Sequence, residues 1–472
     1  MLFNSSEYMA MFFPVVLVGC LLLRKHAGPK AAQAWILAAS LFFYTWNKSA
    51  YLPCLAGSIL VNWLLARTLS AAAQPARKRL LQLSLVLNIT YLCLFKYVNF
   101  FLTGFGSLLH GFHLPDLEFP LGISFFTLMQ IMYLVDVYEQ LLPPLNLFDY
   151  STFVSFFPYV ISGPIARAKR IKHQFGDFGG KDGAPAELLA RGLFLFTIGL
   201  FKKVLLADAF AKLANPGFAA ADHLSAIEAI VASLAYTLQI YFDFSGYSDM
   251  AIGSALMLGI EIPRNFDAPL RSKSIIEFWT RWHISLSQFI TTYLYTPIMK
   301  SLRRISLFTS ALATLIAMTI AGLWHGPAWT FVLYGVIFGL ALAINQYWRK
   351  KNMPVLPGFV SWMLTFAVVN IALLVFRSEN VPAAVHMLAA MFNLHHPLEV
   401  ATLCAAMANL TLVNRLMLLL GTGVAFFGKS SDVLSREFKP SLANAIGVGA
   451  ALVASGLFMC FNTSQSFLYF QF

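Results

Sequence analysis

Charge is what this chain lacks. Only 11% of its 472 residues are Asp, Glu, Lys or Arg, against about 25% in an ordinary soluble domain, which excludes a freely soluble globular protein. Its 33 basic residues outnumber the 21 acidic ones, giving a net charge of +12. The basic residues fall in short clusters between apolar runs, the pattern of membrane anchoring and not of a nucleic-acid partner. Cysteine is scarce too. Cys20, Cys54, Cys93, Cys404 and Cys460 all sit in apolar stretches and none forms a Cys-x-x-Cys pair, so they read as buried thiols, with neither a disulfide frame nor a metal site. A Gly-x-Ser-x-Gly elbow, a Walker loop, a His-Glu-x-x-His pair and the His-x4-Asp pair of soluble acyltransferases are also absent. Neither His283 nor His325 has a Cys, His or carboxylate nearby at ligand spacing, so metal catalysis is not expected.

Apolar residues take the place of charge. They make up 58% of the chain, 44 of them Phe. At about 20 residues per span, roughly ten to thirteen membrane segments fit, and the fold class is all-α, a multi-pass transmembrane helical protein. Apolar runs lie near 8–23, 31–46, 51–69, 80–102 and 119–137. A shorter run at 150–165 follows, then others near 188–211, 224–245, 306–321, 328–347, 355–376, 401–423 and 441–462. The first run has no basic region before it and Arg24, Lys25 and Lys30 after it, so it reads as a span with its start outside, not as a cleaved signal. With those residues and Arg77-Lys78-Arg79 inside, the loop 103–118, free of Lys and Arg, lies outside. Run 150–165 contains Pro158 and Gly163-Pro164 and precedes four basic residues, so it is expected to be re-entrant. The same alternation puts Lys300, Arg303 and Arg304, Arg349-Lys350-Lys351, and Lys429, Arg436 and Lys439 inside; Lys48 and Arg377 are exceptions. Gly176–Pro185 is the one flexible hydrophilic loop, and the simplest parse is a single transmembrane domain over 1–472.

Ionisable groups inside such runs cost a few kcal/mol on insertion scales, so each needs a reason. Tyr241-Phe242-Asp243-Phe244-Ser245-Gly246-Tyr247-Ser248-Asp249 places two carboxylates where one apolar run ends and another begins. It reads either as an interfacial loop capping the next helix or as a polar wall of a substrate passage. Glu277 to Ser287, taken as one helix, brings Glu277 and Arg281 onto one face and carries Trp279, Trp282 and His283. An amphipathic helix anchored at the cytoplasmic interface and a functional segment both satisfy that pattern. His325 stands in Gly322-Leu323-Trp324-His325-Gly326-Pro327, a turn inside an apolar hairpin. An imidazole there with few charged neighbours favours its neutral form near pH 7, the form a general base needs; a buried histidine bonded to a backbone carbonyl is the alternative. Leu121-Gly122-Ile123-Ser124-Phe125-Phe126, Asp136 and Ser162-Gly163-Pro164 read as packing glycines and helix breaks.

Taken together, several motifs resemble the bacterial membrane-bound O-acyltransferases. They are Tyr241 through Gly253, Asn265-Phe266, Glu277-Phe278-Trp279, Arg281-Trp282-His283-Ile284-Ser285-Leu286-Ser287 and Gly322-Leu323-Trp324-His325-Gly326. Pro120-Leu121-Gly122-Ile123-Ser124-Phe125, Ser162-Gly163-Pro164, Phe201-Lys202-Lys203-Val204 and Phe467-Leu468-Tyr469-Phe470-Gln471-Phe472 extend the likeness over nearly the whole chain, most closely to the membrane subunit of alginate O-acetylation. The resemblance implies helices around a central funnel, a donor approaching from the cytoplasm, His325 as the catalytic histidine and His283 as a second histidine on the donor side. The chain departs from relatives at Ile290-Thr291-Thr292-Tyr293-Leu294-Tyr295-Thr296-Pro297, where no Gly-Gly-Asn loop follows.

The resulting expectation is a bacterial inner-membrane acyltransferase with no bound cofactor. It would take an acetyl group from acetyl-CoA or another acyl thioester for O-acetylation of an extracytoplasmic or secreted polysaccharide, through an extracytoplasmic acetyltransferase partner. Trp324, Arg281, Trp282, Asp243 and Ser245 are the expected substrate-binding residues beside His325 and His283. Two rivals are a transporter or flippase of a lipid-linked sugar and a non-catalytic membrane partner of a soluble acetyltransferase. The concentration of broken polar segments in 241–327, without two matching halves, argues against the transporter.

Overall fold

Apolar sequence without water leaves the backbone only its own hydrogen bonds, and in the computed structural model helices satisfy them; among the described residues there is no strand. The structure describes residues 1–98, 100, 120–177, 186–302, 304–393, 407–461 and 467–468. The loop 103–118, residues 178–185 of the hydrophilic loop, Arg303, Cys404, the start of the run 401–423 and Tyr469–Phe472 lie outside them. The chain divides into two compact units, Met1–Phe196 with Met250–Pro263, and Thr197–Asp249 with Arg264–Phe472.

The first unit contains α1 (Phe13–Ala27), α2 (Pro29–Thr45), α3 (Tyr51–Ala71), α4 (Ala76–Lys96), α5 (Ile123–Tyr138), α6 (Leu147–Ser155), α7 (Ala168–Asp177) and most of α8 (Ala186–Phe201). Its buried polar groups meet one another. Asn62 and Asn88 exchange side-chain hydrogen bonds at 2.7 and 3.2 Å, and Asn62 also donates to Gln130 at 3.1 Å. Asp136 pairs with Arg167 at 2.8 Å, which gives that carboxylate a structural reason. Helix α6 has nine residues, about 14 Å at 1.5 Å per residue, and is followed by turns through Gly163; it is far too short to cross a core of about 30 Å.

In the second unit, a π-helical turn, Lys202–Ala207, follows α8 and leads into α9 (Asp208–Ala219) and the 32-residue α10 (Ala226–Met257), whose last turns belong to the first unit. Next come α11 (Ile275–Arg281), α12 (Ile284–Phe289), a second π-helical turn over Ile290–Tyr295, α13 (Thr296–Ser301), α14 (Leu307–His325) and α15 (Trp329–Lys350). The unit ends with α16 (Gly358–Arg377), α17 (Val381–Phe392), α18 (Leu412–Phe427), α19 (Ser431–Glu437) and α20 (Leu442–Phe461). Helices α14 and α15 form the tightest hairpin. A Cβ on Gly322 would stand 2.3 Å from the Phe331 carbonyl oxygen and 2.8 Å from the Gly335 nitrogen, so glycine lets the two backbones touch. A Ser306–Thr309 capping box starts α14.

Eight described helices are long and apolar enough to cross a membrane, or nine if α18 and α19, bent by 79°, make one span. That is fewer than ten to thirteen among the described residues; α2 and α5 have only 17 and 16 residues. Helix α20 exposes Leu442, Ile446 and Val453 by more than half, as a lipid-facing helix does.

Three sequence expectations are corrected. Tyr241–Asp249 is neither a break nor a loop; it is the interior of α10, because both carboxylates find lysine partners and need no water. Glu277–Ser287 is not one interfacial helix, since it breaks at Trp282–His283, and Trp279 and Trp282 are buried in protein instead of anchoring at the interface. Of the described thiols only Cys20 is buried; Cys54 and Cys93 are half-buried and Cys460 is exposed on α20, where lipid and not protein is the expected surrounding.

Candidate functional site

His283 owes its position to a helix that stops early. The Ser274 hydroxyl caps α11 by accepting from the Glu277 N–H at 3.1 Å. Trp282 then turns extended and His283 adopts φ 41°, ψ 54°, a left-handed conformation that costs a non-glycine residue about 1–2 kcal/mol. Asn265 over-determines it. The Asn265 side-chain oxygen lies 3.1 Å from His283 Nδ1 and accepts from the Ser285 N–H at 3.2 Å and the Ser285 hydroxyl at 2.9 Å. The Asn265 carbonyl takes the Ile284 N–H at 3.0 Å. Because that side-chain oxygen is an acceptor, Nδ1 carries the proton and Nε2 is the ring's basic nitrogen. Phe244 meets the imidazole edge-on, ring centres 4.7 Å apart. His283 is 1% exposed, and burial pushes its pKa down to about 3, so the ring stays neutral through the physiological range.

His325 is the last residue of α14. Gly326, which follows it, has extended φ of −171°, a conformation open to any residue. Glycine is required there by space, since a Cβ would lie 2.2 Å from the Phe331 ring. The buried imidazole sits among aromatic rings, with Trp324 at 5.1 Å, Phe376 at 5.3 Å and Tyr334 at 5.7 Å between ring centres. Trp324 is also 6.4 Å from His283. Two histidines 42 positions apart in sequence thus share one indole.

The other expected site residues lie at varying depth. Trp282 is buried and stacks on Phe278, ring centres 5.5 Å apart. Arg281 pairs with Glu277 at 2.9 Å, four residues back as the spacing predicts, and both side chains are about one-third exposed. Asp243 is 1% exposed, bound by Lys203 Nζ at 2.6 Å and by the Leu468 N–H at 3.0 Å. Lys202 binds Asp249 at 2.7 Å, so consecutive lysines on the π-helical turn serve Asp243 and Asp249 of α10. The Ser245 hydroxyl is fully buried and has no hydrogen-bond partner among the described residues. A cavity of about 490 Å³ is lined by Trp279, Ile284, Ser287, Gln288, Thr314, Met318 and Gln346; none of His283, His325, Trp324, Arg281, Trp282, Asp243 and Ser245 lines it.

Residues 70–376 match the model of the MBOAT, membrane-bound O-acyltransferase family. The chain belongs to this family. It is 39% identical over 426 residues to the peptidoglycan O-acetyltransferase of Helicobacter pylori, covering 84% of this chain and 80% of that one. It is 37% identical over 403 residues to a probable alginate O-acetylase of Pseudomonas aeruginosa, 83% of this chain and 75% of that one. The teichoic acid D-alanyltransferase of Streptococcus thermophilus is 30% identical over 241 residues, 49% of this chain and 58% of that one. The protein is therefore a multi-pass membrane O-acyltransferase.

For an acyltransferase, the imidazole of His325 in its aromatic pocket is placed as a candidate to accept a hydroxyl proton, and that of His283, its Nδ1–H donating to Asn265, presents Nε2 as an acceptor for an N–H or O–H of a bound donor. Asn265 stands in the Asn265-Phe266 motif, but the sequence assigned it no role. Its signal was slight, a lone amide in Pro263-Arg264-Asn265-Phe266. Lys202 and Lys203 left a clearer one: two cations in one apolar run facing two carboxylates in another.

Proposed function

We propose that this acyltransferase takes an acetyl group from a cytoplasmic thioester, such as acetyl-CoA, and passes it outward for O-acetylation of an extracytoplasmic or secreted polysaccharide. It works in the bacterial inner membrane with an extracytoplasmic acetyltransferase partner. One observation carries the reading: His283 and His325 meet the same indole, Trp324, inside an aromatic pocket. The names of the relatives support the acceptor class, since two are O-acetylating enzymes of peptidoglycan and alginate.

His325 acts as the general base. Its imidazole takes the proton of the accepting hydroxyl, whether on the polymer or on a partner's serine, as the oxygen attacks the thioester carbonyl. The C–S bond breaks, an ester forms, and the thiolate leaves with the proton returned from the imidazolium. His283, held by Asn265, orients the donor, and the cavity beside Ile284 and Ser287 supports a path for its extended arm. Arg281 and Trp282 flank the donor side, Trp324 walls the reacting centre, and Asp243 and Ser245 form the polar backing on α10.

The test is His325→Ala at wild-type abundance in the membrane, with acetyl groups on the polymer and thioester consumption by the purified chain both measured. Both should fall by at least two orders of magnitude. Unchanged polymer acetylation would remove His325 from the chemistry.

A further inference from the structure

Residues 467–468 lie outside the part of the chain that the family model matches, 70–376, yet they are buried against the helix that backs His283. Phe467 is 1% exposed and Leu468 4%. The Phe467 ring stacks on Tyr247, centres 4.3 Å apart and planes 17° apart, and lies 6.0 Å from Phe244. One residue on, the Leu468 N–H donates to Asp243 at 3.0 Å, to the carboxylate oxygen other than the one that Lys203 binds at 2.6 Å. Asp243, Phe244 and Tyr247 are at i, i+1 and i+4 on α10, so one stretch of that helix receives both residues. Phe244 is also the ring that meets His283 edge-on at 4.7 Å. The buried carboxylate thus ties the segment down, and the stacked aromatic bears on the ring that sets the imidazole.

We infer that the Phe467–Leu468 segment is a positioning element for the donor-side histidine: it holds Asp243 and Phe244, and through them the orientation of His283, without touching substrate. The inference rests on the donor-orienting role proposed for His283. A hydrogen bond from a backbone amide to a buried carboxylate is among the stronger kind, because its loss leaves a charged acceptor short of a donor. Removing it should displace the catalytic geometry before it unfolds the protein, since the other helices keep their own packing.

The test compares Leu468→Pro, which deletes the N–H, with Leu468→Ala, which keeps it. Acyl transfer and the KM for the thioester donor are measured on purified, monodisperse protein, alongside His283→Ala. Leu468→Pro should lose tenfold or more in kcat/KM with a raised donor KM, and Leu468→Ala should stay within about twofold of wild type. Mere loss of folded enzyme would lower the maximal rate and leave KM unmoved. That pattern, or equal activity of the proline and alanine variants, overturns the inference whatever His283→Ala does. Full activity of His283→Ala overturns the donor-orienting role itself. Should Leu468→Pro fail to fold, a chain stopped before Phe467 decides. Restoration of its activity by an added peptide, Ser-Gln-Ser-Phe-Leu-Tyr-Phe-Gln-Phe, supports the inference, and full activity without the peptide overturns it.

Discussion

Replacing Lys203 with Met should destabilise this protein far more than replacing Asp243 with Asn, although the two side chains share one ion pair. Lys203 Nζ lies 2.6 Å from Asp243 and 3.4 Å from Asp208, and the three side chains are 3%, 2% and 7% exposed. Lys203→Met leaves two buried carboxylates without that cation. Removing one partner of a buried pair costs about 3–5 kcal/mol, a factor of a hundred to several thousand in a folding equilibrium. Asp243→Asn leaves Lys203 with Asp208 and still offers an oxygen to the Leu468 N–H, so the loss should be of hydrogen-bond size, about 1–2 kcal/mol. The double variant, with one carboxylate fewer to strand, should recover part of the Lys203→Met loss. The assay is the apparent unfolding temperature in detergent at one heating rate, with the four proteins side by side. If Asp243→Asn falls as far as Lys203→Met, or the double variant is no better than Lys203→Met, the reasoning from counter-charges is wrong.

Three further outcomes follow from the geometry. Gly322→Ala should lower the yield of folded protein, by overpacking worth about 1–3 kcal/mol, because its Cβ would press on the Phe331 carbonyl; Gly423→Ala, with open space around it, should be neutral or mildly stabilising. Asn265→Ala frees the imidazole of His283 and both Ser285 donors, so acyl transfer should fall at least tenfold at normal abundance, and wild-type activity would show that the tautomer is not set there. His283 is held neutral by burial, its pKa down at about 3 from an ordinary 6.5, so the unfolded chain binds the extra proton between those values. Its stabilising contribution is full above about pH 6.5 and is lost as the pH falls toward 3, at roughly 1 kcal/mol per unit; His283→Gln should unfold with a flatter pH dependence between 7 and 5, and an unchanged slope would contradict this.

How much of the site was legible depends on how far apart its parts lie in sequence. The hairpin that carries His325 could be read directly: an apolar run, then Gly322 through Pro327, then another apolar run. The Glu277–Arg281 pair followed from helical spacing alone. The break at His283 did not, because nothing in Arg281-Trp282-His283-Ile284 forces a left-handed residue. Asn265 imposes it from 18 positions away through contacts that periodicity cannot express. Asp243 and Asp249 misled for a similar reason. A carboxylate in an apolar run signals a break only if nothing neutralises it, and their lysines stand some forty positions earlier.

The sequence by itself determined that this chain lives in a membrane, that it is helical, and that His325 closes one helix of an apolar hairpin. Scarcity of charge and the cost of unpaired backbone in lipid leave no other outcome. Tertiary structure alone decided which polar groups are buried in pairs, which aromatic rings surround each imidazole, and that His283 and His325 share Trp324. Burial and pairing are properties of neighbours in space, and neighbours such as Asn265 and His283, or Asp243 and Leu468, stand 18 and 225 residues apart along the chain.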